Sequence, residues 1–130
     1  MLIKAEQKYV RISPQKARLV IKAIKNFSPE EALVYLDFLN KKAAQPLAKV
    51  IKQALANAAS QKLKKEDLEF ASFEASPGPT LKRWRAVSRG RAHSILKRSC
   101  HLRVVLKSKE QKNQLKAGPP LAEKDKKETK

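Results

Sequence analysis

The run from residue 75 to residue 109 contains ten Lys or Arg and no Asp or Glu. Such a run cannot balance its own charge, so the negative charge must come from outside the chain. A polyphosphate backbone supplies negative charge most densely, and the run therefore predicts a nucleic-acid partner. It is not simple basic low complexity, because it ends in a strand pattern and carries the one tryptophan of the chain.

The rest of the chain is also basic, which limits the core it can form. The formal net charge is +18, of which the run provides +10, and the remaining residues hold 20 basic and 12 acidic groups. The 130 residues suit one domain, with 42% hydrophobic residues and 5% aromatic ones. We expect a thin, helix-rich core in a protein that reaches full order only with its partner bound.

Targeting and redox signals favour a cytoplasmic location. The first residues lack the apolar stretch of a signal peptide, and no apolar run approaches the roughly 18 residues that span a bilayer. Cys100 is the one cysteine and cannot form an internal disulfide, which is typical of a reducing compartment. We therefore expect no association with a membrane.

The first two predicted helices have clear start signals. Ser13-Pro14 places an N-cap serine before a proline at the first helical position, and this helix runs to about Lys25. Ser28-Pro29-Glu30-Glu31 is a capping box with two acids at the positive helix end, and this helix runs to about Leu39. The apolar stripe of the first helix comprises Ala17, Val20, Ile21 and Ile24.

A third helix is predicted from about residue 41 to residue 61, with Asn40 as its cap. Pro46 lacks a backbone donor, and we expect it to kink the first turns or to shift the start. The apolar positions of this helix follow helical spacing closely: Ala44, Leu47, Ala48, Ile51, Leu55, Ala58 and Ala59.

Three segments alternate with the period of a strand. Over residues 2–10 the predicted apolar side comprises Ile3, Ala5 and Tyr9. From residue 68, two residues are assigned to one face and three to the other: Leu68 and Phe70, then Ala71, Phe73 and Ala75. Over residues 99–107 the apolar side comprises Cys100, Leu102, Val104 and Leu106.

Two strands that flank one long basic connection imply a hairpin. The connection is either a disordered loop or an extended arm of about ten residues per strand, which would reach roughly 30 Å. A free two-stranded ribbon is marginal in water, so such an arm would hold its shape only inside a partner. We expect residues 1–107 to form one domain, with an arm at about 76–103, and the charged tail at 108–130 to be disordered.

Catalytic and metal chemistry have little support in this sequence. Cys100 and His101 are neighbours in a predicted strand, so their side chains point to opposite faces, and Cys100 falls on the core side. With His93 they are the only soft or imidazole ligands, and they lack metal-site spacing. Ser76-Pro77-Gly78-Pro79 reads as a turn and not as a phosphate-binding loop. We predict a protein that is not an enzyme and has no cofactor and no metal.

Arginine predominates over lysine between residues 82 and 103, by six to two. Arginine forms forked bonds to phosphates and stacks on bases, which favours a nucleic-acid surface. Trp84 either stacks on an unpaired base, as in RNA recognition, or packs across the hairpin. Gly90 marks either a tight bend or a close backbone approach. A second basic cluster at the first helix is either a solvated face or an RNA contact: Arg11, Lys16 and Arg18.

Residues 13–20 read SPQKARLV, residues 40–44 read NKKAA and residues 56–58 read ANA. The first run resembles the first-helix motif of the universal large-subunit ribosomal protein twenty-two family, and the other two resemble its long helix. Over roughly residues 78–105 the basic run matches the hairpin of that family in order and spacing. The matching motifs are GP, KR, GRA and ILKRS. The sequence departs from the family at Ala86-Val87-Ser88, where a Pro-Arg-Ala run is usual. Trp84 also stands where a different apolar residue is common.

This resemblance implies an α+β fold, with a small antiparallel three-stranded sheet packed with three helices and a long protruding basic β-hairpin. It implies a structural protein that binds ribosomal RNA beside other large-subunit proteins, lines the nascent-chain exit tunnel with the hairpin tip, and supports subunit assembly. No homo-oligomer is expected. The tip would be Arg85, Ala86, Val87, Ser88, Arg89, Gly90 and Arg91. The RNA-binding residues would be Arg11, Lys16, Arg18, Lys82, Arg83, Trp84, Arg85, Arg89, Arg91, Lys97, Arg98 and Arg103.

Two other classes of function fit the charge. An architectural DNA-binding protein could grip a minor groove with the arm. A basic arm could also dock on an anionic membrane, although the run lacks a helical apolar face. Comparable affinity for duplex DNA and ribosomal RNA would favour the first, and flotation with vesicles would favour the second.

Overall fold

The computed structural model describes residues 2–108. The elements in chain order are β1 (Leu2–Val10), α1 (Pro14–Ile24), α2 (Pro29–Phe38), α3 (Ala44–Ser60), β2 (Leu68–Pro77), β3 (Leu81–Ala86), β4 (Ala92–Lys97) and β5 (Cys100–Ser108), with a 3-10 turn at Lys65–Asp67. The predicted α+β fold is confirmed. The sequence assigned residue 108 to the tail, but Ser108 is the last residue of β5, and the remaining tail lies outside the described residues.

The three-stranded sheet has the order β1-β5-β2, and both pairings are antiparallel. The central strand is therefore β5, the last strand within residues 2–108, so the sheet closes only after β1 and β2 have been made. The helix α3 packs against β1 and β5, and α1 packs against β2. The amide Nδ2 of Asn57 on α3 donates to the carbonyl of Lys4 at 3.2 Å, which fastens the long helix to β1.

The three helices form much as their local signals predict. The helix α1 has Ser13 at its N-cap and proline at its start, and the whole predicted stripe is buried. The capping box of α2 is complete, because the Ser28 hydroxyl accepts from the Glu31 amide and the Glu31 carboxylate accepts from the Ser28 amide. These bonds satisfy two amides at the start of the helix that have no intrahelical partner.

The prediction for the start of α3 was wrong at the cap. The N-cap is Ala43 and not Asn40, and the helix begins at Ala44. This start places Pro46 in the first turn, where backbone amides have no intrahelical acceptor and a missing N–H is harmless. Proline therefore shifts the start, which was one of the two expected outcomes.

Two register shifts overturn parts of the strand predictions. Between Gln7 and Val10 the pairing of β1 with β5 is irregular, and Tyr9 lies there at a φ of 56° with 63% of its surface exposed. Tyr9 is therefore not on the core side. A second shift between Phe70 and Ser72 inserts one extra residue, so Phe70 and Phe73 stack with ring centroids 5.7 Å apart instead of pointing to opposite faces.

The core lies between the sheet and the helices and is made mostly of aliphatic side chains. Leu47 and Ile51 of α3 are fully buried, as are Leu102, Val104 and Leu106 of the central strand. Cys100 is also buried, and burial raises the pKa of its thiol. The predicted assignment of Cys100 to the core is confirmed.

Candidate nucleic-acid interface

A two-stranded ribbon, residues 81–97, makes a sheet of its own. It consists of β3, β4 and the connecting residues 87–91, and every side chain in it is exposed. The pairing runs from Leu81 opposite Lys97 to Ala86 opposite Ala92. The connection is thus an extended arm and not a disordered loop. Its paired strands have six residues each, which is about 20 Å at ~3.3 Å per residue and shorter than expected.

The two faces of the ribbon differ in charge. Opposed residues of an antiparallel pair share a face, and successive residues alternate. One face carries three cations and His93 with two aliphatic residues: Arg83, Arg85, Lys97, Leu81 and Ile95. The other face carries one cation with small and apolar residues: Lys82, Trp84, Ala86, Ala92, Ser94 and Leu96. The ribbon therefore offers a cationic face and a mostly uncharged face.

Trp84 is on the uncharged face with 66% of its surface exposed. The residue opposite Trp84 on β4 is Ser94, which is too small to cover an indole. Packing across the ribbon therefore leaves most of the ring open. Of the two interpretations of Trp84 from the sequence, stacking against an external group is the one that this geometry favours.

The tip loop, residues 87–91, is closed by two backbone hydrogen bonds. The amide of Val87 donates to the Arg91 carbonyl at 2.9 Å, and the amide of Arg91 donates to the Ser88 carbonyl at 3.4 Å. Arg89 and Gly90 have φ values of 60° and 67°, in the left-handed region that glycine adopts readily. A Cβ on Gly90 would meet nothing within 4 Å, so Gly90 serves the bend and not a close approach.

The ribbon leaves the body at a tightly packed root. Ser76 and Pro77, predicted to be in a turn, are instead the end of β2, and the amide of Gly78 continues the pairing by donating to the Ser99 carbonyl at 3.0 Å. The buried Ser99 hydroxyl donates to the Pro79 carbonyl at 2.6 Å. These bonds fix the direction in which the ribbon departs. Arg98 lies exposed beside this root.

Two of the predicted RNA-binding residues lie on the body, next to groups of the sheet. Arg103 lies on β5, away from the ribbon, and the residues opposite it are Glu6 on one side and Glu74 on the other. The guanidinium Nε of Arg18 donates to the Ala75 carbonyl at 3.0 Å, which satisfies an acceptor on β2, a strand at the edge of the sheet. The structure does not bring either residue together with the ribbon cations.

A cleft of about 640 Å³ lies between α1 and the connection from α2 to α3, and we call it the linker cleft. Arg11 and Lys16 line it, as the basic cluster at the first helix predicted. Lys41 and Lys42 line it as well, and the sequence reasoning did not assign them to a site. The remaining lining residues are Ile12, Ser13, Leu19, Val20, Ala23, Tyr35, Leu39, Asn40 and Ala43.

Comparison with known proteins identifies the family of this chain. The profile of "Ribosomal protein L22p/L17e" matches residues 5–107. The chain belongs to this family. It is 46% identical over 106 residues to "Large ribosomal subunit protein uL22" of Desulfatibacillum aliphaticivorans, which covers 82% of this chain and 98% of that protein. The protein of the same name from Finegoldia magna is 44% identical over 111 residues, covering 85% and 99%. "Large ribosomal subunit protein uL22c" of Thalassiosira pseudonana is 45% identical over 107 residues, covering 82% and 93%.

The resemblance noted in the sequence is therefore confirmed. The L22p/L17e family consists of structural ribosomal proteins, so the prediction that this chain is not an enzyme is confirmed by its relatives.

The Nδ1 atom of His101 accepts from the Tyr9 amide at 3.1 Å, and the two rings meet edge to face at 4.9 Å. This imidazole thus has a structural role. Within residues 2–108, no helix is long and apolar enough to cross a membrane.

The lysines that sequence reasoning missed in this L22p/L17e chain carry a weak signal of their own. Residues 38–65 hold seven lysines and no acid, so they form an unbalanced run of their own before the one at residues 75–109. Lys41 and Lys42 are the first two of them. Only the fold shows that they lie across a cleft from Arg11 and Lys16, because some 25 residues of chain separate the two pairs.

Proposed function

We propose that this chain is a structural constituent of the large ribosomal subunit that binds ribosomal RNA with its ribbon. Family membership supports its place in the large subunit, beside other ribosomal proteins of a cytoplasmic ribosome. The ribbon carries the RNA-binding part of the proposal. In this proposal the ribbon threads through RNA, its tip at residues 85–91 lines the nascent-chain exit tunnel, and the arm supports subunit assembly.

The ribbon is an element that requires a partner. Its residues 81–97 hold six cations and no acid, and all of them are exposed. A two-stranded ribbon without a covered face is marginal in water, and six cations without a counter-charge in so short an arm repel one another. Phosphates on both sides would remove the repulsion and hold the strands in place. A polyanion that surrounds the arm therefore suits it better than a flat surface that touches one side.

The difference between the two faces favours RNA over duplex DNA. The cationic face suits a phosphate backbone, because Arg83 and Arg85 can make forked hydrogen bonds to phosphate oxygens. The other face presents Trp84, whose open ring suits an unstacked base. Folded RNA offers both unpaired bases and closely spaced phosphates, whereas duplex DNA keeps its bases stacked.

The salt dependence of RNA binding tests this proposal. A ribbon variant replaces four arginines by Gln: Arg83, Arg85, Arg89 and Arg91. It should bind large-subunit ribosomal RNA with a flatter plot of log affinity against log salt concentration. Each lost phosphate contact should reduce the slope by about 0.7 to 0.9, or roughly 3 for all four. The measurement is filter binding of the full chain at several potassium chloride concentrations.

A matched control removes the same charge elsewhere. Replacing Lys49, Lys52, Lys62 and Lys64 by Gln takes four positive charges from exposed positions on and after α3. This variant should keep most of the slope, because long-range attraction alone is screened within about 10 Å at 0.1 M salt. Equal slopes for the ribbon variant and the unmodified chain would refute the assignment of the ribbon. Equal losses for both variants would show a non-specific charge effect and refute it too.

A further inference from the structure

We propose that the linker cleft holds one unstacked nucleotide of ribosomal RNA, with the base against the apolar floor and the neighbouring phosphates on the rim. The proposal rests on the proposed function and adds to it a second RNA site on the body, separate from the ribbon. Charge, lining and size support it together, as does the way the two walls are fixed.

The charge of the cleft suits a polyanion. Arg11 and Lys16 lie on the α1 side, and Lys41 and Lys42 lie on the side of the connection from α2 to α3. No lining residue is acidic, so the four cations have no carboxylate within the cleft itself. Cations on both sides can reach the two phosphates that flank a single nucleotide. A ligand with one compact charge would use only one side.

The floor of the cleft is apolar and partly aromatic. Leu19 is 70% exposed, and Tyr35 is 39% exposed. The Tyr35 ring is steadied by Phe27, which it meets edge to face with centroids 5.4 Å apart. A nucleobase has a flat apolar face that would cover such a floor, and stacking on a ring is a common way to hold an unpaired base. Bare phosphate would leave these side chains in water.

The size of the cleft fits a nucleotide better than a helix. Its volume of about 640 Å³ falls within the range of pockets that hold small ligands, roughly 300–1,000 Å³. A duplex cannot enter a pocket of this size, because its bases are stacked behind two backbones. Sequence-specific contacts with RNA mostly use loops and bulges, where single bases are splayed out.

Both walls of the cleft are fixed by short backbone hydrogen bonds. The amide of Ile12 donates to the Val10 carbonyl at 2.8 Å, and Arg11 lies at the centre of this turn. The amide of Lys41 donates to the Leu39 carbonyl at 2.7 Å, which forms a turn of the same size on the opposite wall. These turns hold the backbone that carries Arg11 and Lys41, so the ordering that remains on binding is that of the side chains.

A cavity-filling variant tests the base site without changing any charge. Ala23 lines the cleft and is exposed, so Ala23→Phe should fill the floor and leave all four cations in place. The probes are adenosine monophosphate, ribose 5-phosphate and inorganic phosphate, titrated into the full chain and followed by amide chemical shifts in NMR. We expect adenosine monophosphate to shift the amides of residues 39–42 and to bind at least about fivefold more tightly than ribose 5-phosphate.

The controls separate the base from the charge. Ala23→Phe should abolish the preference for adenosine monophosphate, whereas Ala56→Phe on the exposed side of α3 should retain it. Lys41→Gln with Lys42→Gln should weaken all three probes more than Lys49→Gln with Lys52→Gln, which removes the same charge elsewhere. Equal binding of the three probes to the unmodified chain would overturn the proposal, because the cleft would then bind phosphate alone.

Binding of ribosomal RNA distinguishes this proposal from the function on which it rests. If the cleft holds a nucleotide, Ala23→Phe lowers the affinity of the full chain for large-subunit ribosomal RNA at least about fivefold, and Ala56→Phe does not. If Ala23→Phe leaves that affinity unchanged while the ribbon variant flattens the salt dependence, the cleft proposal is overturned and the proposed function stands. If the ribbon variant has no effect but Ala23→Phe does, the cleft proposal stands and the ribbon assignment fails.

Discussion

Replacing Gly78 by Ala should destabilise the root of the ribbon through one identifiable clash. A Cβ on this residue would lie 2.7 Å from the Ser99 hydroxyl oxygen, 3.2 Å from Nε2 of His101 and 3.3 Å from the carbonyl carbon of Ser99. The first distance is too short, so the hydroxyl must move. Gly78 does not have a positive φ, so alanine is compatible with its backbone and the clash is the main effect.

The expected magnitude follows from what the Ser99 hydroxyl loses. Ser99 is 3% exposed, and its hydroxyl donates to the Pro79 carbonyl at 2.6 Å. Losing this hydrogen bond costs about 1 kcal/mol, and a buried hydroxyl left without a partner costs ~1–3 kcal/mol. The reduced freedom of the unfolded chain offsets ~0.4–1 kcal/mol of this. We expect Gly78→Ala to lower the free energy of unfolding by about 1–2 kcal/mol.

A double-mutant cycle with Ser99→Ala isolates the clash. Ser99→Ala alone should cost about 1 kcal/mol, since it removes one hydrogen bond. In that background, Gly78→Ala meets no hydroxyl, so its cost should fall by about 1 kcal/mol or more, a coupling in the range found for residues in contact. Urea unfolding followed by circular dichroism gives the four free energies. The same cycle with Gly90→Ala serves as the control.

Gly90 differs from Gly78 in the cause of its strain. Alanine at its φ of 67° is strained by about 1 kcal/mol, but nothing lies within 4 Å of the added Cβ. Ser99→Ala cannot relieve that strain, so the two effects should add. Costs for Gly78→Ala and Ser99→Ala that add within about 0.5 kcal/mol would refute the reasoning, since sites without contact behave in that way.

Two further predictions concern the buried thiol and the tip. Burial raises the pKa of the Cys100 thiol, so the thiol contributes fully to stability below its ordinary pKa of about 8.5, and this contribution is lost as the pH rises through the folded pKa. Between pH 7 and pH 10, urea unfolding should therefore show a larger loss of unfolding free energy for the unmodified chain than for Cys100→Ala. Equal losses would contradict this. A photo-crosslinker at position 88 of ribosome-bound protein should label a stalled nascent chain, whereas one at position 56 on α3 should not; no labelling from position 88 would contradict the proposed place of the tip.

Much of the fold was predictable because its signals are local. The capping box at Ser28 and the proline after Ser13 define helix starts through groups a few residues apart, and both helices begin where predicted. The position of Pro46 was also informative, although the start that it favours lies at Ala44 and not at the predicted cap. Propensity alone could not choose, because packing of α3 on the sheet also fixes where the helix begins.

The bulges could not be predicted from alternation. Tyr9 and Phe73 each follow a regular pattern of period two, and each was assigned to the wrong side or face because one residue is inserted opposite the central strand. A shift of one residue reverses every later side chain, and only the pairing with β5 decides where it falls. The environment of Gly78 was not predictable from the sequence either. The sequence placed it in a turn, but in the structure it lies against the Ser99 hydroxyl.

The sequence by itself determined the charge imbalance of residues 75–109, the need for a polyanion, and the three helices. These depend on composition and on contacts within a few residues, so no tertiary structure is needed to see them. Only the tertiary structure decided that residues 81–97 of the basic run stand clear of the body as a ribbon with two unlike faces, whereas residues 100–108 form the central strand of the sheet. Only it brought Lys41 and Lys42 across a cleft from Arg11 and Lys16, because contacts between distant segments depend on how the helices pack on the sheet.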